Sequence, residues 1–513
     1  MVYFNEFVNL VQGPWIGAAT GSDLWSVTLP QVSRNNGTLR HAAMAIGALS
    51  KWYSQSGCKT LSVATVPTVA ASEVDAHYFR ALAHYSECLK LKSEQVSVQD
   101  AVFLSILLLC FESLRGNGKA ALDHVNHGLA LLVSLLATAD GDRCLHTLAP
   151  NPKPLISSVA EIFSVLAPQA RVVLRGRIGD SKPLPNFTQR LQEANQTLES
   201  FIVLLGQLPR PSADLQRIPA RFTSLDEFQN YWATTYWKQT SIGPVLMDII
   251  RTSGITESMD EQDIDNFFVH FIRDDRMTEF YEGTRAVLRA LDAAFLPLFN
   301  KIMLSDSRSP EYIKAIHLRL QYLGTYVLDN TPQYIHIETL QAQTPLFREY
   351  LSLAEVALQA ARQEVDNPAR QLSLQCNLAS HLLLVSLFCR DPVARNQAVG
   401  MLRDYPGQDG LWRTRSLYVL ALRNQRVEQQ NAIEGEPNVQ WRRFWRREYI
   451  FEEGGDHVIF RYLERDDVTG DWGLIEETAD TNVVGRAEDV PWVRRPPTQS
   501  GRLLMAEIIS PSS

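Results

Sequence analysis

His124 and His127, in the run Asp-His-Val-Asn-His, lie three residues apart, a spacing that sets two imidazoles on one helical flank as a pair of metal ligands requires. His77 and His84 lie seven apart and also share a flank, where imidazoles can pass a proton. Cys389 opens the stretch CRDPVARNQAVGMLRDYPGQDGLW, where a thiol stands beside acidic and basic groups. The run WRRFWRREY at 441–449 sets four arginines among Trp441, Phe444 and Trp445, a composition that stacks on nucleobases and pairs with phosphates.

Each of these has a plainer reading. His124 and His127 ride opposite the apolar stripe Leu122/Val125/Leu129, and no carboxylate or cysteine is spaced to complete a ligand set. His77 and His84 fit packing or interhelical hydrogen bonding. Cys389 has no histidine near it in sequence and reads as a buried thiol. In 441–449 the aromatics are expected to face inward and the arginines to be solvated. RGNG (115–118) and GQDG (407–410) lack the Gly-x-x-x-x-Gly-Lys spacing of a phosphate loop and read as helix stops. Neither GxSxG nor HExxH occurs. No catalytic, metal or cofactor-binding residue is assigned, no cofactor is expected, and the reading leans away from an enzyme.

The elements that must position these groups are mostly helical. Apolar residues recur at helical spacing over 39–53, 76–92 and 119–137, while 101–114 is apolar on nearly all sides and should be a central, buried helix. RGNG joins two apolar helices into an antiparallel hairpin. Further helices are predicted at 155–175, 188–207, from the capping box SLDE (224–227) toward Ile250, 261–304 with a break, 309–328, 345–365, 371–389, 392–404 and 411–430. Strand-like alternation appears only after about residue 445. The expectation is an all-α domain over 1–430, a small mixed segment over 431–490 and a flexible tail over 491–513.

Charge and cysteine usage narrow the class. Lys and Arg number 49 against 57 Asp and Glu, a net charge of −8, so the chain lacks the overall field that recruits nucleic acid. The six cysteines are scattered, no two closer than 13 residues, which excludes Cys-x-x-Cys zinc loops and suggests a reduced, intracellular protein. The longest apolar run, 101–111, is far shorter than the ~20 residues a bilayer demands, so no membrane span is expected. The N-terminus reads as no signal peptide.

Within CRDPVARNQAVGMLRDYPGQDGLW, Asp391 suits an N-cap, Pro392 suits the first helical position, and Arg395, four residues on, should pair with Asp391. Gly410 and Trp412 open the next element. This arrangement resembles a signature in the regulatory region of fungal zinc-cluster transcription factors, carried here by Cys389, Arg390, Asp391, Pro392, Arg395, Ala398, Leu402, Pro406, Gly410 and Trp412. It departs from the signature at Asn396 and Gln408-Asp409. Earlier blocks resemble the same region in order: the Trp-bearing segment and Arg-His-Ala helix of 24–50, with Arg40 and His41; the Tyr-x-x-Ala helix of 77–91; the hairpin with Arg115, Gly116 and Asn117; and 222–228 and 345–358.

The resemblance implies the large helical middle-homology fold of that family and a role in transcriptional regulation, of metabolic or secondary-metabolite genes, with a nuclear location (the cytoplasm as the alternative). It implies a small-molecule effector, and homodimerisation or pairing with a DNA-binding relative. The zinc module that reads DNA in that family is absent, so no direct sequence-specific DNA binding is expected; the chain either lacks that reader or is partial. Two other readings stay open: a metabolite-converting cyclase or isomerase on this fold, for which His41, His77, His84, His124, His127 and Glu112 are the first groups to test, and a helical scaffold.

Overall fold

The computed structural model describes residues 1–12, 24–56, 73–92, 98–137, 213–240, 274–307, 309–328, 336–363, 377–405, 409–432, 447–452, 455–466, 468–483 and 485–498, with single positions between some of these. Among them are fourteen α-helices followed by one four-stranded antiparallel sheet. The helices expected at 155–175 and 188–207 fall outside the described residues.

The first six helices are α1 (Val2–Val11), α2 (Leu29–Asn35), α3 (Gly37–Ser56), α4 (Glu73–Lys92), α5 (Val98–Leu114) and α6 (Gly118–Ala137). Their core includes Phe7, Trp25, Ile46, Trp52, Leu107 and Phe111. Every residue of α5 from Val102 to Leu114 is buried, as its unbroken apolar sequence requires. Small residues let α3 come close to its neighbours. At Gly47 a Cβ would sit on the Tyr3 carbonyl, so only glycine allows α1 to lie this near.

The second group comprises α7 (Leu225–Thr240), α8 (Asp275–Met303), α9 (Pro310–Leu323), α10 (Ile337–Ala342), α11 (Thr344–Gln363), α12 (Leu378–Phe388), α13 (Pro392–Arg403) and α14 (Thr414–Gln430). Capping residues set several of its boundaries. Ser224 Oγ accepts the Glu227 N–H at 3.2 Å, while the Glu227 carboxylate reaches back to the N–H and hydroxyl of Thr223 at 2.9 and 2.8 Å. The box thus closes one residue earlier than its sequence pattern implies. Asp274 caps α8 by accepting the Arg276 N–H, which places the break foreseen in 261–304. α7 ends at Thr240, short of Ile250. α12 begins at Leu378, after Asn377 takes a left-handed φ of 48°.

The sheet follows in the order β1 (Glu448–Glu452), β2 (His457–Arg465), β3 (Trp472–Asp480) and β4 (Val493–Arg495), all antiparallel. It differs from the expected layout in two respects. Its inward residues Phe451, Val458, Phe460 and Tyr462 belong to one core with the helices from α7 onward, so 431–490 is no separately packed unit. The tail expected from 491 also supplies β4, pinned by Arg495 Nε on Glu476 at 2.5 Å and by the Thr498 N–H on the same carboxylate at 3.0 Å. Charged residues on a short, Pro-flanked strand masked its pairing.

Candidate functional site: an arginine cluster around Glu428

The signature stretch is built from the end of α12 onward. Cys389 is fully buried after the last turn of α12, and burial pushes its thiol pKa up, which holds it as an inert thiol. Asp391 Oδ1 accepts the Val393 N–H at 3.0 Å, and Pro392 takes the first position of α13, where no N–H is needed. Asp391 does not pair with Arg395. Its partner is Arg348 of α11, whose Nε donates to Oδ2 at 2.7 Å and holds the carboxyl below its usual range.

Arg395 turns inward instead. Its Nε donates to the Ser386 carbonyl at 2.9 Å and its Nη1 to Glu428 Oε2 at 2.7 Å. A buried carboxylate and a helix C-terminus offer a guanidinium more than Asp391 does, whose oxygens are already taken by the Val393 N–H and by Arg348. Glu428 lies in the last turn of α14 with only 9% of its side chain exposed, and it gathers two further arginines. Arg447 Nη1 donates to Oε1 at 2.5 Å, and Arg390 Nη1 lies 3.2 Å from Oε2. Asn424 Nδ2 donates to Oε1 at 3.3 Å.

Arg390 also donates to the carbonyls of Leu387 and Phe388 at the negative end of α12. Its guanidinium sits 4.4 Å from the Trp441 ring centre, and that of Arg447 sits 5.6 Å away. Burial pulls the Glu428 pKa up, but Arg447, Arg390 and Arg395 together hold it far below its ordinary value, so the carboxylate stays ionised. Burial lowers the pKa of Arg390 and of Arg447. With the side chain of Arg447 only 3% exposed, its expected solvation is overturned; Trp441 faces inward as foreseen.

Beyond α13 a short turn joins the two cores. Asp409 is fully buried and its Oδ2 accepts the Ala379 N–H at 2.6 Å, capping α12 from 30 residues away; burial lifts its pKa to about 7. Gly410 follows with φ 59°, a left-handed backbone that glycine takes without strain. Leu411 packs into the core of α1–α6, while the Trp412 ring meets Phe451 of β1 edge-on at 5.3 Å.

The remaining sequence candidates lie in α1–α6. Arg40 donates to the Arg34 carbonyl at 2.7 Å and ties α3 to α2. Arg115 pairs with Glu112 at 3.2 Å, Gly116 turns with φ 71°, and Asn117 Oδ1 accepts the Ala120 N–H at 3.3 Å to start α6. His41 Nδ1 lies 3.2 Å from His84 Nδ1, and His77 Nδ1 lies 2.7 Å from the Tyr3 hydroxyl, which also accepts from Arg80 Nη1 at 3.0 Å. The Tyr3 ring presents its edge to both His77 and His84. Burial lowers the pKa of His77 and of His84. The rings of His124 and His127 lie 6.4 Å apart, and no group of three His, Cys, Asp or Glu among the described residues could hold a metal ion.

Sequence reasoning missed Glu428, Arg447 and Asp409 as site residues. Arg390 and Arg395 were visible through the signature, but their shared partner lies 38 and 33 residues away. The only local hint was a glutamate on the apolar flank of α14, beside Val427. No family model, curated protein or solved structure matches this chain.

Proposed function

We propose that this chain is the regulatory part of a fungal transcriptional regulator that responds to an effector or partner and reaches DNA through a DNA-bound protein. The ordered series of blocks resembling that family's regulatory region, on a mostly helical fold, supports the reading. The observation that carries it is the convergence of both signature arginines, Arg390 and Arg395, on Glu428, where Arg447 arrives from the start of the sheet. The two signature arginines, with Arg447, thus form a clasp between helices and sheet, suited to relaying a bound state as a shift between conformations. No helix among the described residues is long and apolar enough to cross a membrane. Tagged protein should partition to nuclei and co-precipitate a DNA-bound regulator, and deletion should lower transcripts of a metabolic gene set. Recovery of no such regulator, with transcripts unchanged, refutes the proposal.

A second reading, metabolite conversion, is favoured by one observation. His41, His77 and His84, with Tyr3, form a half-buried cluster between α1, α3 and α4. Loss of a metabolite on deletion, with transcripts unchanged and the same loss in His84→Asn, would establish it.

A further inference from the structure

The charge around Glu428 does not balance. Three guanidiniums, those of Arg390, Arg395 and Arg447, surround one carboxylate, an excess of two positive charges in a buried site. Among the described residues, the other ionic clusters in the same half are balanced or acidic. Arg461 and Arg495 share Glu476 and Glu448; Arg423 and Arg494 share Glu477 and Glu464; Arg319 alone meets Asp292 and Glu349. The carbonyls at the end of α12 offset part of the excess, since a helix C-terminus carries roughly half a negative charge.

Two donors remain unused. Arg447 Nη2 and Arg395 Nη2 are both buried and have no hydrogen-bond partner among the described residues. Each belongs to a guanidinium whose Nη1 already holds one oxygen of Glu428, so both unused donors lie beside the same carboxylate. A buried N–H without an acceptor costs about 1–3 kcal/mol, more when charged, so two in one cluster, next to surplus positive charge, mark the place of a missing acceptor that is itself negative. Trp441 lies against this cluster, its ring centre 4.4 Å from the guanidinium of Arg390 and 5.6 Å from that of Arg447.

We propose that the Arg390/Arg395/Arg447 cluster binds a small monovalent anion, a halide or the carboxylate of an acidic metabolite, held by Arg395 Nη2 and Arg447 Nη2. The site deepens the regulatory reading by giving the effector a chemical class, but its occupancy is measured on purified protein and stands even if no DNA-bound regulator is recovered.

The test uses the full chain, freed of chloride, titrated with bromide and with acetate at constant ionic strength. A saturable rise in melting temperature is expected, on the order of 3 °C. Arg447→Gln leaves Glu428 paired with Arg390 and Arg395, and should abolish the rise. Should that variant not fold, Arg395→Lys keeps the charge but loses the fork, and should weaken the bromide midpoint at least tenfold. Crystals grown in bromide should show anomalous density against Arg447 Nη2. Acetate that displaces bromide identifies carboxylates as ligands; bromide binding without displacement restricts the site to inorganic anions, and either supports the proposal. A rise that does not saturate, an equal response in wild type and Arg447→Gln, or an ordered water in place of bromide would overturn it.

Discussion

The two cores of this chain are stabilised by different means. In α1–α6 the buried residues are apolar or small, and Glu112 is the one buried charged residue there among the described residues. From α7 to β4 the buried set includes Arg319, Glu428, Glu452, Arg461, Glu476 and Glu477. The first core rests on close packing, tolerant of salt and sensitive to volume. The second places ion networks between its helices, within its sheet and across the seam between the two, so removing one partner leaves the others stranded in a low dielectric. A region held by directional charges suits a device that must choose between arrangements, whereas an apolar packed region suits a frame.

The largest effect should follow Glu428→Gln. With the carboxylate gone, three buried guanidiniums repel one another, and the loss should be about 3–5 kcal/mol in denaturant unfolding. A loss under about 1 kcal/mol would show that the second core does not depend on its ions.

Asp409 tests the seam between the cores through pH. Its folded pKa, about 7, lies above the ordinary 3.8, so the folded state binds the extra proton between those values. Stability is therefore greatest below about pH 4, falls as pH rises toward 7, and levels above it. Asp409→Asn keeps an acceptor for Ala379 and should remove this slope, leaving the variant on the order of 2–4 kcal/mol more stable than wild type at pH 8 and similar at pH 4. Parallel pH curves for the two proteins would contradict the assignment.

In the first core Gly47→Ala places a methyl group against the Tyr3 backbone. We expect about 2 kcal/mol of destabilisation, with amide exchange accelerated in α1 and unchanged in β2. Equal acceleration in both would mean that the cores do not differ as described. The smallest effect is that of Asp391→Ala, which removes one cap and should lower stability by about 1 kcal/mol, with faster exchange confined to the first turn of α13.

How much could be read beforehand follows the same division. Helices α3 to α6 of the first core were legible because apolar spacing reports burial directly, as in 101–114, whereas α1 and α2 were not read as helices. The caps Ser224 and Asp391 and the placement of Pro392 were also local, and three of the four strands showed through their alternation. The arginine cluster was not legible, since a buried charge is recognised by its partner and Arg395 had a nearer acid in sequence, Asp391, than the one it binds. Asp409, at a departure from the signature, looked like a turn residue; its task of capping α12 depends on contact across 30 residues.

Leu411 and Trp412 are successive residues rooted in different cores. The backbone passes from one core to the other across a single peptide bond, so, local openings such as that of α1 apart, heat should be taken up in one calorimetric peak despite the chain's 513 residues. A glycine-serine spacer inserted between them would split that peak in two, uncoupling the halves without altering any side chain.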